Sequence, residues 1–564
     1  MGEGSKPRRL FDQMVNGKAD PRIAWVILGV AMILSAAFCL WTARGTTFTG
    51  DEFAWVSFTP DQSLRYTFEP QSGHLVFVTL WLYKAVLSTI GSDYLTFRLM
   101  TIGAVYLAVL LLFIFVRKRV GDFLALAPCL VLLLFGNDTG NIIQGIGFTL
   151  MFAVALGLFA LIMIERDTRP SDILACAALV LAVLTFSLAL PFLVGAAVAI
   201  LITRERWRRI WVVAIPILIY LAWRVWLLAA DVEVFNGAVH ISNVLLFPSW
   251  VFQSLSGVLS ALTGFNYDFE DGDFLPATSL AGPPLALAFI VLIGWRIRKG
   301  GLSPWFWVAL AIALSLFASQ TLGWIPAVRT PGVARYLYPG AFVLILVLAE
   351  TFRGFRVSPT AFVCVWLIAF CALSTNIAFL RDGGETLRAR APVVSSEVTA
   401  SALVTSAYPF PPGQDFKPIQ ELVSDPGVSV SAAAQEKYGG IGYTEDQLVM
   451  SAPDLRVHVD SILDQAYGLG LTPSDKATCL DRSVATSDPN TGTAVTDLPP
   501  GGAVLTSPIA GEVRLKRFGD DFSISAGTLP AGNAMRLYIP VDDGKTPWQL
   551  RVVTPALRVC EVAV

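Results

Sequence analysis

Long apolar runs alternate with short gaps over the first two thirds of the chain, and the gaps hold many of the basic residues. Runs at Ile23–Trp41, Phe97–Val116, Phe123–Phe135, Ile146–Ile164, Ile173–Ala189, Phe192–Ile202, Ile210–Ala229, Leu285–Trp295, Pro304–Leu322, Tyr336–Ala349 and Pro359–Phe379 predict membrane-spanning helices. About 20 residues at roughly 1.5 Å each cover the apolar core of a bilayer. The stretch Ile173–Ile202 is too long for one ordinary span, and Ser187 with Pro191 supplies a break, so two helices meeting at a turn are expected. Beyond Phe379 the long apolar runs stop, and Pro, Ser, Asp and Gly become frequent. There, Glu397–Tyr408 and Asp454–Leu469 predict helix, while the alternation in Val513-Arg514-Leu515-Lys516 and Gln549-Leu550-Arg551-Val552-Val553 predicts short antiparallel strands. The predicted fold class is therefore mainly α. A polytopic transmembrane helical bundle of about 11 spans occupies residues 1–379, and a C-terminal mixed α/β or β-sandwich domain occupies 380–564.

Charge sets the expected orientation. Basic clusters lie at Arg117-Lys118-Arg119, Arg166 with Arg169, Arg204 to Arg209, Arg296 to Lys299, and Arg353 with Arg356. Short cytoplasmic loops collect such residues. If the apolar segment His74–Ile90 crossed the membrane, the first two clusters would fall outside. If it lies in the outer interface, all five fall inside, with Trp81 and Tyr83 in the headgroup layer and Lys84 snorkelling. The N-terminal stretch with Lys6, Arg8, Arg9 and Lys18 is then cytoplasmic, the first span is an uncleaved anchor, and the C-terminal domain is extracytoplasmic. Asp231–Gly282 is expected outside, with a second interfacial helix over Val244–Phe265 and a solvated acidic loop at Asp268–Asp273, whose spacing misses the EF-hand pattern.

Composition agrees with a membrane protein. Hydrophobic residues make up 54% and charged residues 15% of the chain, with a mean hydropathy of +0.62, which excludes one soluble core of ordinary composition. A formal net charge of −2 gives no generally basic surface, so no nucleic acid partner is expected. Cys39, Cys129, Cys176, Cys364 and Cys371 sit in spans, leaving Cys479 and Cys560 as the pair that an oxidising outer compartment would join in a disulfide.

Candidate chemistry gathers on the outer side. Asp51-Glu52 follows the first span, and a carboxylate there can deprotonate an acceptor hydroxyl or hold a divalent cation, Mg or Mn. His74 opens the interfacial helix and can hydrogen-bond a phosphate or a hydroxyl. Arg98 opens the next span, on the face where basic residues are disfavoured. Asp138, in the turn Asn137-Asp138-Thr139-Gly140-Asn141, brings a carboxylate to the same side and is a candidate acceptor or metal site, although the same residues make an ordinary turn. Arg335-Tyr336, before Leu337-Tyr338-Pro339 and with Arg329 nearby, offers a guanidinium beside aromatics as a phosphate receptor. Arg224 is a further cation, inside a span, that calls for an anionic partner.

This layout resembles the GT-C glycosyltransferase superfamily over roughly Arg22 to Phe379. Shared features are a first span with a cytoplasmic N-terminus, an acidic motif soon after it, an interfacial helix, an Arg opening the next span, and a late Arg-Tyr before Pro at a helix mouth. The resemblance implies an inverting transfer from a polyprenyl-phosphate sugar donor to a cell-envelope glycan, lipid or protein acceptor, outside the cytoplasmic membrane and in contact with membrane lipids. By position, Asp51 matches the catalytic acidic residue with Glu52 beside it. Arg335 matches the basic residue near the donor phosphate, with Tyr336, Arg98, Arg224 and His74 as further candidates around it. Glu69-Pro70 followed by His74 stands where the aminoarabinose transferases of that superfamily have a Lys before Pro, so the donor contacts differ there. The exported domain is similar in placement to those that several cell-wall glycosyltransferases append for acceptor or carbohydrate binding. The competing readings are a transporter or flippase for lipid-linked glycans, and a catalytically inactive carbohydrate-binding membrane protein.

Overall fold

The computed structural model describes residues 11, 13–15, 19–203, 205–230, 232, 241–265, 279–323, 330–408, 427–474, 482–486, 488 and 491–561. The acidic stretch Asp268–Asp273, Arg329 and Cys479 lie outside the described residues. By its contacts the chain divides into two compact units. The first comprises Met1–Arg44, Ser63–Leu82 and Tyr94–Leu387, and the second comprises Gly45–Gln62, Tyr83–Asp93 and Arg388–Val564.

The first unit is a bundle of apolar helices. In chain order, the longer helices from Pro21 to Ala407 are α1 (Pro21–Thr42), α2 (Asp51–Phe58), α3 (Phe77–Thr89), α4 (Tyr94–Val120), α5 (Asp122–Leu132), α6 (Gly147–Arg166), α7 (Arg169–Thr185), α8 (Ala189–Leu201), α9 (Trp211–Ala229), α10 (Phe247–Thr263), α11 (Gly282–Lys299), α12 (Pro304–Leu322), α13 (Ala334–Thr351) and α14 (Pro359–Ala407). Of these, α2 belongs to the second unit, and α3 and α14 each run through both. Among the described residues, 8 helical segments are long and apolar enough to cross a membrane, one of them Ile241–Thr263, which contains α10. The predicted spans over Phe123–Phe135 and Phe192–Ile202 form the shorter helices α5 and α8. The break expected near Ser187 is present, because Phe186 is extended between α7 and α8. Helix α3 has 13 residues, about 20 Å of rise, too short to cross.

Ion pairs and hydrogen bonds gather the five basic clusters at one end of this bundle. Arg119, buried, binds Glu350 at 2.6 Å and Glu165 at 2.7 Å, joining the ends of α4, α6 and α13. Arg209 binds Asp167 and Asp172, each at 2.6 Å, and donates to the Ile164 carbonyl at 2.9 Å. Arg296 donates to the Thr351 carbonyl at 3.1 Å. Helix α9 starts beside Arg209 and α11 carries Arg296 in its last turn, so α9 runs away from this end of the bundle and α11 runs back to it. Helix α10 accordingly packs by its C-terminal half on the opening turns of α11 and α13: Gly257 faces Leu337, and a Cβ at Gly282 would lie 2.9 Å from the Ser256 carbonyl.

The second unit contains a sandwich of two antiparallel sheets. Its strands are β1 (Leu471–Pro473), β2 (Arg482–Thr486), β3 (Thr493–Asp497), β4 (Ala503–Thr506), β5 (Gly511–Lys516), β6 (Ile524–Leu529), β7 (Met535–Leu537), β8 (Gln549–Val553) and β9 (Ala556–Glu561). They are ordered β1-β7-β4-β9-β2 in one sheet and β3-β8-β5-β6 in the other. The two stretches whose alternation predicts strands pair with each other: Val513 opposes Val552 and Leu515 opposes Leu550, all buried, which turns Arg514 and Arg551 to the other face. Helices α15 (Val428–Tyr438) and α16 (Pro453–Tyr467) complete the unit. The composition boundary at 379/380 falls inside α14, which continues to Ala407; its last turns pack in this unit, where Glu397 meets His458 at 3.0 Å.

Two buried carboxylates fasten α16 and the loop 542–546 to the sandwich. Asp460 accepts the backbone N–H groups of Arg517, Phe518 and Gly519 at 2.9, 2.9 and 3.0 Å. Burial pushes its carboxyl up against the downward pull of those three bonds. Asp542 sits under an opposite balance: burial raises it, but the paired Arg517 guanidinium at 2.5 Å holds it below the usual range. Asp460→Ala leaves three N–H groups without their acceptor, and a loss on the order of 3 kcal/mol is expected. Thermal unfolding of the full chain would show it as an early transition of the sandwich; an unshifted transition would contradict that role.

Candidate functional site

The acidic pair belongs to the second unit. Gly50, at φ 59°, a backbone conformation that suits glycine, turns the chain into α2, so Asp51 and Glu52 occupy its first turn, where the helix dipole favours negative charge. The two carboxylates separate in character. Asp51 is partly exposed, whereas Glu52 is fully buried and accepts from the Tyr83 hydroxyl at 3.3 Å. Tyr83 is itself fully buried and meets Trp55 edge-on, which corrects its expected place in a headgroup layer; Trp81 is exposed. Lys84 donates to the Gln62 carbonyl at 3.0 Å, and Lys437 to the Pro60 carbonyl at 3.3 Å. The acidic segment is thereby held by residues of α3 and α15 within one unit.

The other candidates belong to the first unit, and helix direction places them together at one end. Arg98 lies near the start of α4, whose last turn carries Arg117 to Arg119. Arg335 lies in the first turn of α13, whose last turn carries Glu350, the partner of Arg119. Both arginines are therefore at the end opposite the basic clusters. The same reasoning applies to Arg224, late in α9, which starts beside Arg209, and to Ser187, just past α7, which starts at Arg169.

Each of these groups is supported locally. Arg98 is buried; its Nη1 donates to the Ala43 carbonyl, and its guanidinium lies 5.2 Å from the Tyr94 ring. His74 follows a tight turn in which Ser72 and Gly73 have φ of 48° and 85°; its Nδ1 lies 2.6 Å from Ser187 Oγ, and its ring packs on Phe186. Arg224 neighbours Trp223, whose indole N–H donates to the Phe68 carbonyl at 2.8 Å, and a small cluster of Leu75, Trp223 and Leu227 joins the His74 segment to α9. Asp138 is buried in the 3-10 turn Gly136–Asp138 and accepts from the backbone N–H of Asn141 at 3.3 Å as well as from its side chain. That turn packs on α13. Arg335 is half-buried, 5.4 Å from the ring of Tyr336, and one turn later Tyr338 donates to the Leu132 carbonyl at 2.6 Å and stacks on Phe135.

The residues that hold this end together were not visible as motifs. Asn376 of α14 accepts from the Asn137 side chain at 2.7 Å and donates to the Ala261 carbonyl at 3.1 Å, tying the Asp138 turn to α10. Glycines permit the contact: a Cβ on Gly136 would lie 2.0 Å from the Asn376 carbonyl, on Gly383 2.4 Å from Thr139, and on Gly384 2.3 Å from Thr42. Gly383 and Gly384 lie inside α14, where each glycine costs about 1 kcal/mol and so calls for a packing reason. Gly136→Val must push α14 away, and a destabilisation on the order of 3 kcal/mol is expected. Loss of monodisperse protein from detergent extracts would register it, and a variant as stable as the parent would contradict the close approach.

Among the described residues no group of three His, Cys, Asp or Glu side chains could hold a metal ion. Cys560 is disulfide-bonded, and Cys39, Cys129, Cys176, Cys364 and Cys371 are free thiols.

The fold defines a multi-pass, mainly α membrane protein carrying an antiparallel β-sandwich. No protein-family model matches the chain, and no curated protein matches it. Among solved structures, the crystal structure of ArnT from Cupriavidus metallidurans bound to undecaprenyl phosphate aligns over 72% of this chain and 84% of that one, at 13% identity and a TM-score of 0.44. The apo state of that protein aligns over 81% and 97%, at 14% identity and a TM-score of 0.35.

Proposed function

We propose that the chain is a membrane glycosyltransferase of the GT-C type, moving a sugar from a polyprenyl-phosphate donor to a cell-envelope acceptor hydroxyl on the outer side of the cytoplasmic membrane. One observation carries the reading. The candidate residues of the helical unit share the end opposite five gathered basic clusters, so a basic end facing the cytoplasm turns the chemistry outward. Arg335 in the first turn of α13 supports a phosphate role, because a guanidinium there adds to the positive end of an 18-residue helix. Asp51 supports the base role by being partly exposed, whereas Glu52 is fully buried against Tyr83.

In the proposed step the acceptor oxygen attacks the anomeric carbon as its bond to the donor phosphate breaks. The acceptor proton passes to Asp51, the bonding pair leaves with the polyprenyl phosphate, and Arg335 offsets the charge that develops there. The single displacement inverts the anomeric centre. Binding tests the donor class directly. Native mass spectrometry of the full chain with undecaprenyl phosphate and with the uncharged polyprenol is expected to show retention of the phosphate alone; equal retention of both would sink the phosphate reading.

A further inference from the structure

We propose that the converging ends of α11 and α13 form a binding site for the headgroup of an anionic phospholipid, at the end of the bundle opposite the candidate transfer site. Two helix C-termini would ordinarily repel an anion, since their last carbonyls carry partial negative charge. Here one residue removes that obstacle. Arg296, buried, donates to the carbonyls of Thr351 at 3.1 Å, of Gly300, and of Gly301 at 3.4 Å. Gly300 and Gly301, with φ of 73° and 71°, let the chain fold back over the guanidinium.

With the carbonyls satisfied, the exposed Arg298, Lys299, Arg353 and Arg356 face outward around the same junction. Lys299 lies 5.0 Å from the Trp295 ring and 5.3 Å from the Phe355 ring, and Arg296 lies 5.0 Å from Phe355, so the two segments share one aromatic floor. From Gly282 to Arg381 the sole acidic residue is Glu350. It is buried and bound to Arg119 at 2.6 Å and to Ser303 at 2.6 Å, with Arg353 farther off at 3.4 Å. Arg353 is thus paired within the chain, whereas Arg298, Lys299 and Arg356 make no ion pair with a carboxylate among the described residues.

The occupant follows from what adjoins the patch. Leu287, Ile290, Val291 and Trp295 are exposed along α11 directly before the cations, an apolar strip suited to acyl chains. A soluble polyanion would gain nothing from that strip, whereas a phospholipid fills both parts. Interfacial aromatics and basic residues at a helix end are also the groups that favour the headgroup layer.

The test uses the full chain reconstituted in vesicles of equal phosphatidylglycerol and phosphatidylcholine, then detergent extraction and native mass spectrometry. The protein is expected to retain phosphatidylglycerol preferentially. Arg298→Gln/Lys299→Gln/Arg356→Gln should weaken that retention on the order of tenfold or more, while Arg206→Gln/Arg208→Gln should leave it unchanged. No preference in the parent, or equal loss in both variants, overturns the proposal. Displacement of the lipid by inorganic triphosphate without any vesicle-lipid preference does so as well. A second measurement needs no variant: a photoactivatable phosphatidylglycerol should label residues 295–301 or 352–356, and labelling confined to other segments rules the site out.

Discussion

Asp51→Asn is expected to lower sugar transfer by about 10²–10⁴-fold, the range that a positioned general base supplies, with little change in donor binding. Asparagine keeps the size of the side chain and removes only its capacity to take a proton. The neighbouring Glu52→Gln makes the contrast. Glu52 is fully buried beneath Tyr83, so its change should appear first as lost stability of the acidic segment. Transfer assays of both variants in membranes, with thermal unfolding alongside, separate the two roles. Full activity in Asp51→Asn would remove it as the base.

Arg335→Ala is expected to reduce turnover by about 10²–10³-fold, because a preorganised donor at a developing charge contributes roughly that much. Arg335→Lys should recover only part of the rate, since a point charge replaces the guanidinium fork. The variant should also raise the donor KM, which a purely structural role of the first turn of α13 would leave untouched. Arg98→Ala makes the comparison case: that guanidinium is buried on the Ala43 carbonyl and the Tyr94 ring, so its loss should destabilise the start of α4.

Much of the architecture was legible in the sequence because a bilayer imposes length and polarity on every helix that enters it. The five basic clusters were readable as one set, and the structure joins them through Arg119, Arg209 and Arg296. Strands β5 and β8 were readable because a half-buried sheet imposes a period of two. The continuation of α14 past Phe379 was not, because Gly383-Gly384 and Pro392 look like breakers, whereas the glycines serve close contacts with Thr139 and Thr42. Nor was the place of Tyr83, since an aromatic in an apolar segment reads alike whether it faces headgroups or a buried carboxylate. Asn376 was hidden for a similar reason. A lone amide late in an apolar run has no periodic signature, and only its bonds to Asn137 and Ala261 reveal its task.

Placement could therefore be read for Arg98, Arg335, Arg224 and His74, while their chemistry could be read only by resemblance. The measurement that bears on it most directly supplies the purified full chain, in proteoliposomes, with polyprenyl-phosphate donors labelled in the sugar and in the phosphate. The account predicts that sugar label moves to an acceptor while an equal amount of phosphate label stays with free polyprenyl phosphate. Donor that crosses between leaflets with its sugar–phosphate bond intact would contradict it.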